Sequence, residues 1–274
     1  MTPRLVPLAS CPRDTLAAIR GVLTDIDETV STAGHLSAEA YGALEALKKA
    51  GLLVIPVTGR PAGWCDHIAR FWPVDAVVGE NGAFWMWRDA AKDKTGAGKL
   101  RTRFIQSPAG RADGRRRLEE VQAEVLGAVP GAAVASDQPY RLADLAIDFC
   151  EDVPALPRSE VERIVKIFEK YGAHAKVSSI HVNGWFGSYD KLSTSRIMMA
   201  ELFGVDLDNE SERYVFAGDS PNDAPMFAFF PNAVGVANIR DSAAAIPHLP
   251  RWITSAPSGA GFVELARALI EARR

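Results

Sequence analysis

The sequence predicts an α/β protein with a parallel sheet core and an inserted α+β unit. Apolar runs at residues 21–24, 52–57 and 74–78 have the length of buried strands and alternate with amphipathic helical patterns. This β-α-β-α-β order is typical of a parallel sheet with helices on its faces. With 274 residues, the chain is also long enough for two domains.

The second domain is predicted from a change of pattern near residue 85. Hairpin-like strands and two helices follow, and the first pattern resumes with a helix that begins at Lys191. We therefore predict that residues 1–86 and 188–274 form the core and that residues 87–187 form the insert.

The core helices are predicted from caps as well as from periodicity. Residues 36–51 have Ser37 as a candidate N-cap and Gly51 where a C′ glycine belongs. Pro61 can occupy the first turn of the next helix. The later core elements are a helix from Lys191, strands at 214–217 and 233–237, a helix that starts within 218–223, and a final helix at 262–270.

The clearest helix of the insert is predicted at 159–171. Ser159 and Glu162 would form a capping box there, and Gly172 would end the helix. A second helix is expected at 115–125. Strands are expected at 101–105, 142–149, 175–178 and 179–185.

The strand at 21–24 is followed by two aspartates, Asp25 and Asp27, one residue apart. Strand periodicity places them on the same side of the chain, at the edge where open parallel sheets bind ligands. Two carboxylates this close repel each other unless a cation or a shared proton relieves them. Mg²⁺ fits best, because it accepts carboxylate and backbone oxygens while keeping waters and substrate phosphates.

Two more polar groups directly follow predicted strands. Thr58 comes after the second strand, and Asp219, Asn222 and Asp223 come after the strand at 214–217. Each alone is compatible with an ordinary helix cap or a charged first turn. Because the carboxyl ends of parallel strands meet at one sheet edge, together they predict a single site.

Composition argues against several classes of function. A net charge of −3 is unfavourable for a nucleic-acid-binding surface made by bulk charge. No window contains the roughly 18 apolar residues that span a bilayer, and the N-terminal residues lack the apolar segment of a secretory signal. We therefore expect a cytoplasmic protein whose partner is a small molecule, with no nucleic acid and no membrane.

In their order along the chain, these polar groups resemble the motifs of the haloacid dehalogenase (HAD) superfamily. The matching segments are Asp25-Ile26-Asp27-Glu28-Thr29, Thr58, Lys191 and Gly218-Asp219-Ser220-Pro221-Asn222-Asp223. Similarity to subfamily IIB, which has a C2-type cap, lies in an insert of about a hundred residues and in Thr58-Gly59-Arg60-Pro61, Asn81-Gly82-Ala83 and Asp190-Lys191. That group includes Cof-type phosphatases, sucrose-, trehalose- and mannosylglycerate-phosphate phosphatases, and phosphomannomutases. The resemblance implies a Rossmann-like parallel sheet core with an inserted α+β cap domain, and Mg²⁺ as the cofactor.

The resemblance also implies a role for each catalytic candidate. Asp25 would be the nucleophile that takes the phosphoryl group, and Asp27 would protonate the leaving oxygen and then activate water. Thr58 would donate to a phosphoryl oxygen. Lys191 would neutralise charge on the nucleophile and on the transferring group, although a solvated lysine at a helix start is the simpler explanation for Lys191 taken alone.

The resemblance also implies a metal site, in which Asp219 would complete the ligands together with the Asp25 carboxylate and the Asp27 backbone carbonyl. Asn222 and Asp223 would orient these ligands or their waters. One departure is Glu28, which stands where the family usually has glycine or another small residue. Its added carboxylate would disfavour a very acidic leaving group nearby.

Three residues are candidates for substrate contacts. Arg60 could bind phosphate or substrate, and an ion pair at the surface is an equally good explanation. His181 and Asn183 lie on one predicted strand of the insert. Because a strand has two faces, they would point either towards the substrate or away from it.

The expected function is that of a Mg²⁺-dependent phosphatase. It would hydrolyse a small phosphorylated metabolite, expected to be a sugar phosphate, through an aspartyl-phosphate. The alternative within the family is a phosphomutase of the phosphomannomutase type. The alternative from another class is a phospho-accepting signalling domain of the receiver type, which would need neither a large insert nor the second aspartate.

Overall fold

The computed structural model of the chain describes residues 5–89, 98–178 and 180–274. Its central sheet is parallel throughout its paired strands. The strand order is β1 (Val6–Pro7), β13 (Trp252–Ile253), β12 (Val234–Gly235), β11 (Tyr214–Gly218), β2 (Gly21–Thr24) and β3 (Leu53–Pro56).

An antiparallel extension continues this sheet beyond β3. A parallel bridge between Val57 and Val78 joins it to β4 (Ala76–Gly79). Strand β4 pairs antiparallel with β5 (Phe84–Asp89), which in turn pairs with β6 (Lys99–Phe104). The β5–β6 hairpin is therefore hydrogen-bonded to the core.

Helices cover both faces of the central sheet. Neighbouring strand residues point to opposite faces, so Val22 of β2 packs with α2 (Ala38–Lys49) and α9 (Ser258–Ala272). Leu23 packs on the other face with α6 (Lys191–Phe203) and α8 (Ala224–Phe229). The shorter or peripheral helices are α1 (Arg13–Ala18), α3 (Ala62–Phe71) and α7 (Leu207–Glu210).

A second sheet, antiparallel, belongs to the insert. Its strand order is β7 (Ala133–Val134), β8 (Leu145–Asp148), β10 (His181–Trp185) and β9 (His174–Val177). The insert also contains α4 (Pro108–Ala128) and α5 (Arg158–Lys170). Val121, Phe168 and Val182 are buried between these helices and the sheet, which gives the insert its own hydrophobic core.

The predicted fold class is therefore confirmed: a Rossmann-like parallel core carries an inserted α+β unit. The domain boundaries at 87 and 187 stay a prediction. The predicted strand at 179–185 begins at His181, and Ser179 lies outside the described residues. Strands β1 and β13 and helices α1 and α7 were not predicted, because such short segments carry no clear periodic pattern.

The predicted capping box of α5 is wrong. The helix begins at Arg158, and its N-cap is Pro157, which makes no side-chain cap bond. Ser159 and Glu162 lie inside the first turns, where they cannot form the box. A proline already has the φ of the extended entry into a helix, so the N-cap lies at Pro157, two residues before the predicted Ser159.

Candidate active site

The predicted polar groups converge at the carboxyl edge of the central sheet. Asp25 follows β2, and its backbone N–H donates to the Ala217 carbonyl of β11 at 2.9 Å. Thr58 comes after β3, and its backbone N–H donates to the Val78 carbonyl of β4 at 2.9 Å. Asp219 directly follows β11. Neighbouring strands thus bring together segments that are far apart in the sequence.

Three carboxylates at this edge could hold a metal ion. Asp25, Asp219 and Asp223 each offer an oxygen, and these oxygens lie within 4.8 Å of one another. The Lys191 ammonium group donates to Oδ1 of Asp25 at 2.9 Å and to Oδ1 of Asp223 at 2.8 Å. Lys191 is thus paired with two of the three acidic groups, and a hard divalent cation with a preference for oxygen, such as Mg²⁺, fits this donor set.

The electrostatics of the cluster also favour a cation. Burial raises the pKa of Asp25 to about 7, although the charge of Lys191 opposes the shift. Burial, and then the charges of Asp25 and Asp223, raise the pKa of Asp219 to about 8. Burial lowers the pKa of Lys191, but its two carboxylate partners outweigh this and hold it above the ordinary value. Asp25 and Asp219 therefore tend to retain protons near neutral pH unless a cation replaces them.

Asp219 is oriented by two side chains. The Thr29 hydroxyl donates to Oδ1 at 3.3 Å, and the Asn238 amide donates to Oδ2 at 3.1 Å. Asn238 also donates to the Glu28 carbonyl at 3.0 Å. Asn238, which lies just after β12, was not among the predicted site residues. The rule that selected Thr58, a polar residue after a buried strand, could have found it.

Asp223 and Asn222 stabilise the turn that carries Asp219. Oδ2 of Asp223 accepts the backbone N–H groups of Asp219 at 3.2 Å and Ser220 at 3.4 Å. The Ser220 hydroxyl donates to Oδ1 of Asn222 at 2.7 Å. Asp223 therefore combines contacts to Lys191 with a share in the possible metal site.

Asp27 and Arg60 form a bidentate ion pair. Nε of Arg60 donates to both Asp27 carboxylate oxygens, at 2.9 and 3.0 Å, and a second guanidinium nitrogen lies 2.7 Å from Oδ1. The guanidinium also stacks 4.3 Å from the centroid of the Trp64 ring. Thr58 is completely buried, and its hydroxyl oxygen accepts the Arg60 backbone N–H at 3.0 Å. The structure contains an ion pair of Arg60, which is partly buried and not at the surface, and the contact of Arg60 with phosphate or substrate stays a prediction.

Glu28 has a left-handed backbone conformation, with φ of +52°. This region favours glycine, which gives a physical reason for the small residue expected at this position. The Glu28 carboxylate accepts the Ser258 hydroxyl at 3.1 Å, and its backbone N–H donates to the Ser31 hydroxyl at 3.3 Å. These contacts help to hold a non-glycine residue in a conformation that it seldom adopts.

A polar cleft lies between this edge and the insert. Together with the solvent space at its mouth, it measures ≈ 670 Å³. Asp25, Asp27 and Asp219 line the core side. The insert side is lined by Arg141, Lys176, Ser178, Ile180, His181 and Asn183.

Strand β10 presents His181 and Asn183 to the cleft, while Val182 between them packs into the core of the insert. Nδ2 of Asn183 donates to Asp144 at 3.2 Å. Nε2 of His181 lies 2.8 Å from the Glu151 carboxylate. Both candidates thus face the cleft, and the choice between the two strand faces is made by the apolar helices behind the sheet.

Comparisons with known proteins agree with this architecture. No protein-family model matches the chain, and no curated protein sequence matches it significantly. Several solved structures, in contrast, match the chain over most of its length. A protein from Thermoplasma acidophilum is 18% identical with a TM-score of 0.69, over 92% of this chain and 98% of that one. A phosphatase of the haloalkanoate (HAD) superfamily from Bacteroides thetaiotaomicron is 19% identical with a TM-score of 0.59, over 98% of both chains.

A third similar structure is a trehalose-6-phosphate phosphatase related protein. It is 15% identical with a TM-score of 0.59, over 91% of this chain and 96% of that one. The chain therefore has the fold of HAD-superfamily hydrolases, as its motifs predict. Among the described residues, no helix is both long and apolar enough to cross a membrane.

Proposed function

We propose that the protein is a Mg²⁺-dependent phosphatase that hydrolyses a small phosphorylated metabolite through an aspartyl-phosphate. The observation that carries this proposal is the cluster at the sheet edge, in which Asp25, Asp219 and Asp223 lie close enough to hold an ion and Lys191 bridges Asp25 and Asp223, beneath a polar cleft. Phosphoryl transfer depends mainly on positioning and on charge neutralisation. A cluster of carboxylates that can hold a metal ion at the floor of a substrate cleft is suited to that reaction.

Asp25 would attack phosphorus with a carboxylate oxygen. Its Oδ1 accepts a hydrogen bond from Lys191, so the carboxylate is held in place and its negative charge is partly neutralised before attack. When bound, Mg²⁺ would neutralise charge on the phosphoryl oxygens and keep the acids ionised. Lys191 would also counter the charge that builds up on the transferring group.

Asp27 would protonate the leaving oxygen and then take a proton from the attacking water. In its bidentate pair with Arg60, however, Asp27 only accepts hydrogen bonds. Acid catalysis therefore needs Arg60 to release Asp27. The phosphoryl group is a suitable competitor for the guanidinium, since both carboxylate and phosphate bind it in a bidentate manner.

The proposed substrate is a sugar phosphate. On the insert side, Asn183 and Lys176 offer amide and ammonium groups, which suit a leaving group rich in hydroxyls better than an apolar one. The second sheet above the site also favours an enzyme over a receiver-type domain, which would need no such wall.

The experiment is a phosphate-release assay against phosphorylated sugars, polyols and nucleotides. The enzyme is first treated with EDTA and then supplied with Mg²⁺ or Ca²⁺. We expect EDTA to stop turnover and Mg²⁺ to restore it, whereas Ca²⁺ restores little, because its larger and looser shell does not enforce in-line geometry.

Full activity in chelator would contradict the metal role. Acid quenching during turnover should trap phosphate on the protein, and Asp25→Asn should abolish the label. A stoichiometric label without continued phosphate release would favour the receiver-type function instead.

A further inference from the structure

A second group of buried charges joins the core to the insert. We name it the junction cluster and define it as Glu80, Asp137, Arg141 and Asp144. Glu80 and Asp144 are almost completely buried, and Arg141 is 8% exposed. None of these residues belongs to the motifs or to the proposed catalytic steps.

Glu80 follows β4 in the core, and its carboxylate accepts hydrogen bonds from backbone N–H groups of both the core and the insert. It accepts the N–H of Ala62 in α3 at 2.9 Å. From the insert it accepts the N–H groups of Leu142 at 2.9 Å, Ala143 at 2.6 Å and Asp144 at 3.1 Å. One core side chain thus binds three consecutive amides of the insert.

Arg141 makes the reciprocal contact from the insert to the core. One guanidinium nitrogen donates to the Gly59 carbonyl at 3.1 Å and to the Asp144 carboxylate at 3.0 Å. Its other nitrogens donate to Asp137 at 2.8 Å. Gly59 lies between Thr58 and Arg60, so Arg141 is attached to the turn that would receive the phosphoryl group.

The network continues into the cleft wall. The Asp144 carboxylate that pairs with Arg141 also accepts the Asn183 amide at 3.2 Å, and Asn183 lines the cleft. A continuous path of hydrogen bonds therefore runs from the phosphoryl-binding turn, through Arg141 and Asp144, to a wall residue that faces the substrate.

Such a cluster is poorly explained by stability alone. Burying ionised groups costs several kcal/mol each in desolvation, and apolar residues of similar size often stabilise a fold as well or better. Glu80 and Asn81 also have left-handed φ values of +43° and +57°. Backbone strain of this kind persists where the surroundings fix one conformation.

We propose that the junction cluster positions the insert over the phosphoryl site, so that the cleft wall stays at a fixed distance from it while the insert reads the leaving group. The part of this inference that concerns the leaving group rests on the proposed phosphatase function. The docking of the insert does not, since it follows from the contacts alone.

The test is Glu80→Gln, with Glu124→Gln as the matched control. Glu124 lies in the insert and pairs with Lys170 and Tyr171 at its surface. In Glu80→Gln, an amide NH₂ faces backbone N–H donors, so some of these bonds are lost. We expect hydrogen exchange to rise at residues 142–144 while the interiors of α4 and α5 keep their protection. In the Glu124→Gln control, we expect no change in the exchange at residues 142–144 or in the protection of α4 and α5.

The kinetic readout compares a hexose 6-phosphate with p-nitrophenyl phosphate. For Glu80→Gln, we expect KM for the hexose phosphate to rise at least about tenfold, with activity on p-nitrophenyl phosphate within about threefold of the wild type. Asp137→Asn, at a less buried position, should shift both readouts in the same direction by a smaller amount, which guards against a Glu80 variant that fails to fold.

The outcomes separate the two proposals. Increased exchange at 142–144 without phosphatase activity in the wild type would overturn the function and support the docking. Phosphatase activity with unchanged exchange and unchanged KM in Glu80→Gln would overturn the role of the junction cluster and leave the function standing. Exchange that rises throughout the chain, with equal losses on both substrates, would reduce Glu80 to a general stabilising residue and overturn the proposal.

Discussion

Asp25 and Glu80 are both buried carboxyl groups whose pKa is raised mainly by burial, to about 7 and about 8 respectively. Their surroundings differ. Glu80 accepts hydrogen bonds from four backbone amides, whereas within residues 5–89, 98–178 and 180–274 the Asp25 carboxylate accepts one only from Lys191. A carboxylate with filled acceptor positions holds two segments together. One with free acceptor positions can bind a cation or attack phosphorus.

The same contrast separates the floor of the cleft from its wall. On the floor, Asp25, Asp219 and Asp223 lie close enough to bind an ion, and Lys191 contacts Asp25 and Asp223. On the wall, Arg141 is engaged by two carboxylates and by the Gly59 carbonyl. Free acceptor positions therefore distinguish Asp25, the proposed nucleophile, and filled ones distinguish the groups that hold the insert on the core. The following predictions test this difference, from the largest expected effect to the smallest.

The largest effect is expected at the floor. Asp25→Asn removes the nucleophile but keeps the size of the side chain, so turnover should fall by more than about a hundredfold, a barrier change of about 3 kcal/mol. Thermal unfolding should remain cooperative. Phosphate release measures the loss, and turnover above about a hundredth of the wild type would show that Asp25 is not the nucleophile.

Asp27→Asn should distinguish two kinds of leaving group. A hexose 6-phosphate needs protonation of its leaving oxygen, whereas p-nitrophenolate leaves readily without it. We expect the loss in kcat to be at least about tenfold larger for the hexose phosphate. Equal losses on both substrates would mean that Asp27 supports the site without transferring a proton.

The wall should affect recognition more than chemistry. Asn183→Ala removes an amide that faces the cleft, so we expect KM for a hexose 6-phosphate to rise by about tenfold while kcat on p-nitrophenyl phosphate stays near the wild-type value. Lys166→Ala, on the exposed side of α5, is the control and should alter neither. An equal fall in kcat on both substrates would place Asn183 in the catalytic machinery.

The smallest effect concerns stability and pH without metal. The pKa of Asp219 is raised on folding from its ordinary value of 3.8 to about 8. The folded state therefore holds this proton more tightly, and the contribution to stability is complete below the ordinary value and is lost as the pH rises through about 8. In EDTA we expect Tm to fall by a few degrees between about pH 5 and 8.

Two comparisons identify the source of that fall. Asp219→Asn cannot titrate at this position, so its Tm should depend less on pH over the same range. Saturating Mg²⁺ should also flatten the wild-type curve, because it binds the ionised carboxylates. Identical slopes for the wild type and the variant in EDTA would assign the pH dependence to other groups.

The sequence by itself determined the fold class and most of the floor. Apolar runs of strand length predicted the parallel sheet, and the polar residues after them identified Asp25, Thr58 and Asp219, because the carboxyl ends of neighbouring parallel strands share an edge. Asn238 satisfies the same rule and could have been predicted. These inferences succeed because each depends on a strand and on the residue that directly follows it.

The tertiary structure alone decided the wall and the junction. Arg141 reaches Gly59 across 82 positions of sequence, and Glu80 binds the Leu142 amide across 62. The pairing of Arg60 with Asp27, and the choice of the β10 face that carries Asn183, likewise depend on how separate elements pack. No local periodicity encodes such contacts, since they form only when the insert docks on the core and the buried polar groups must find partners there.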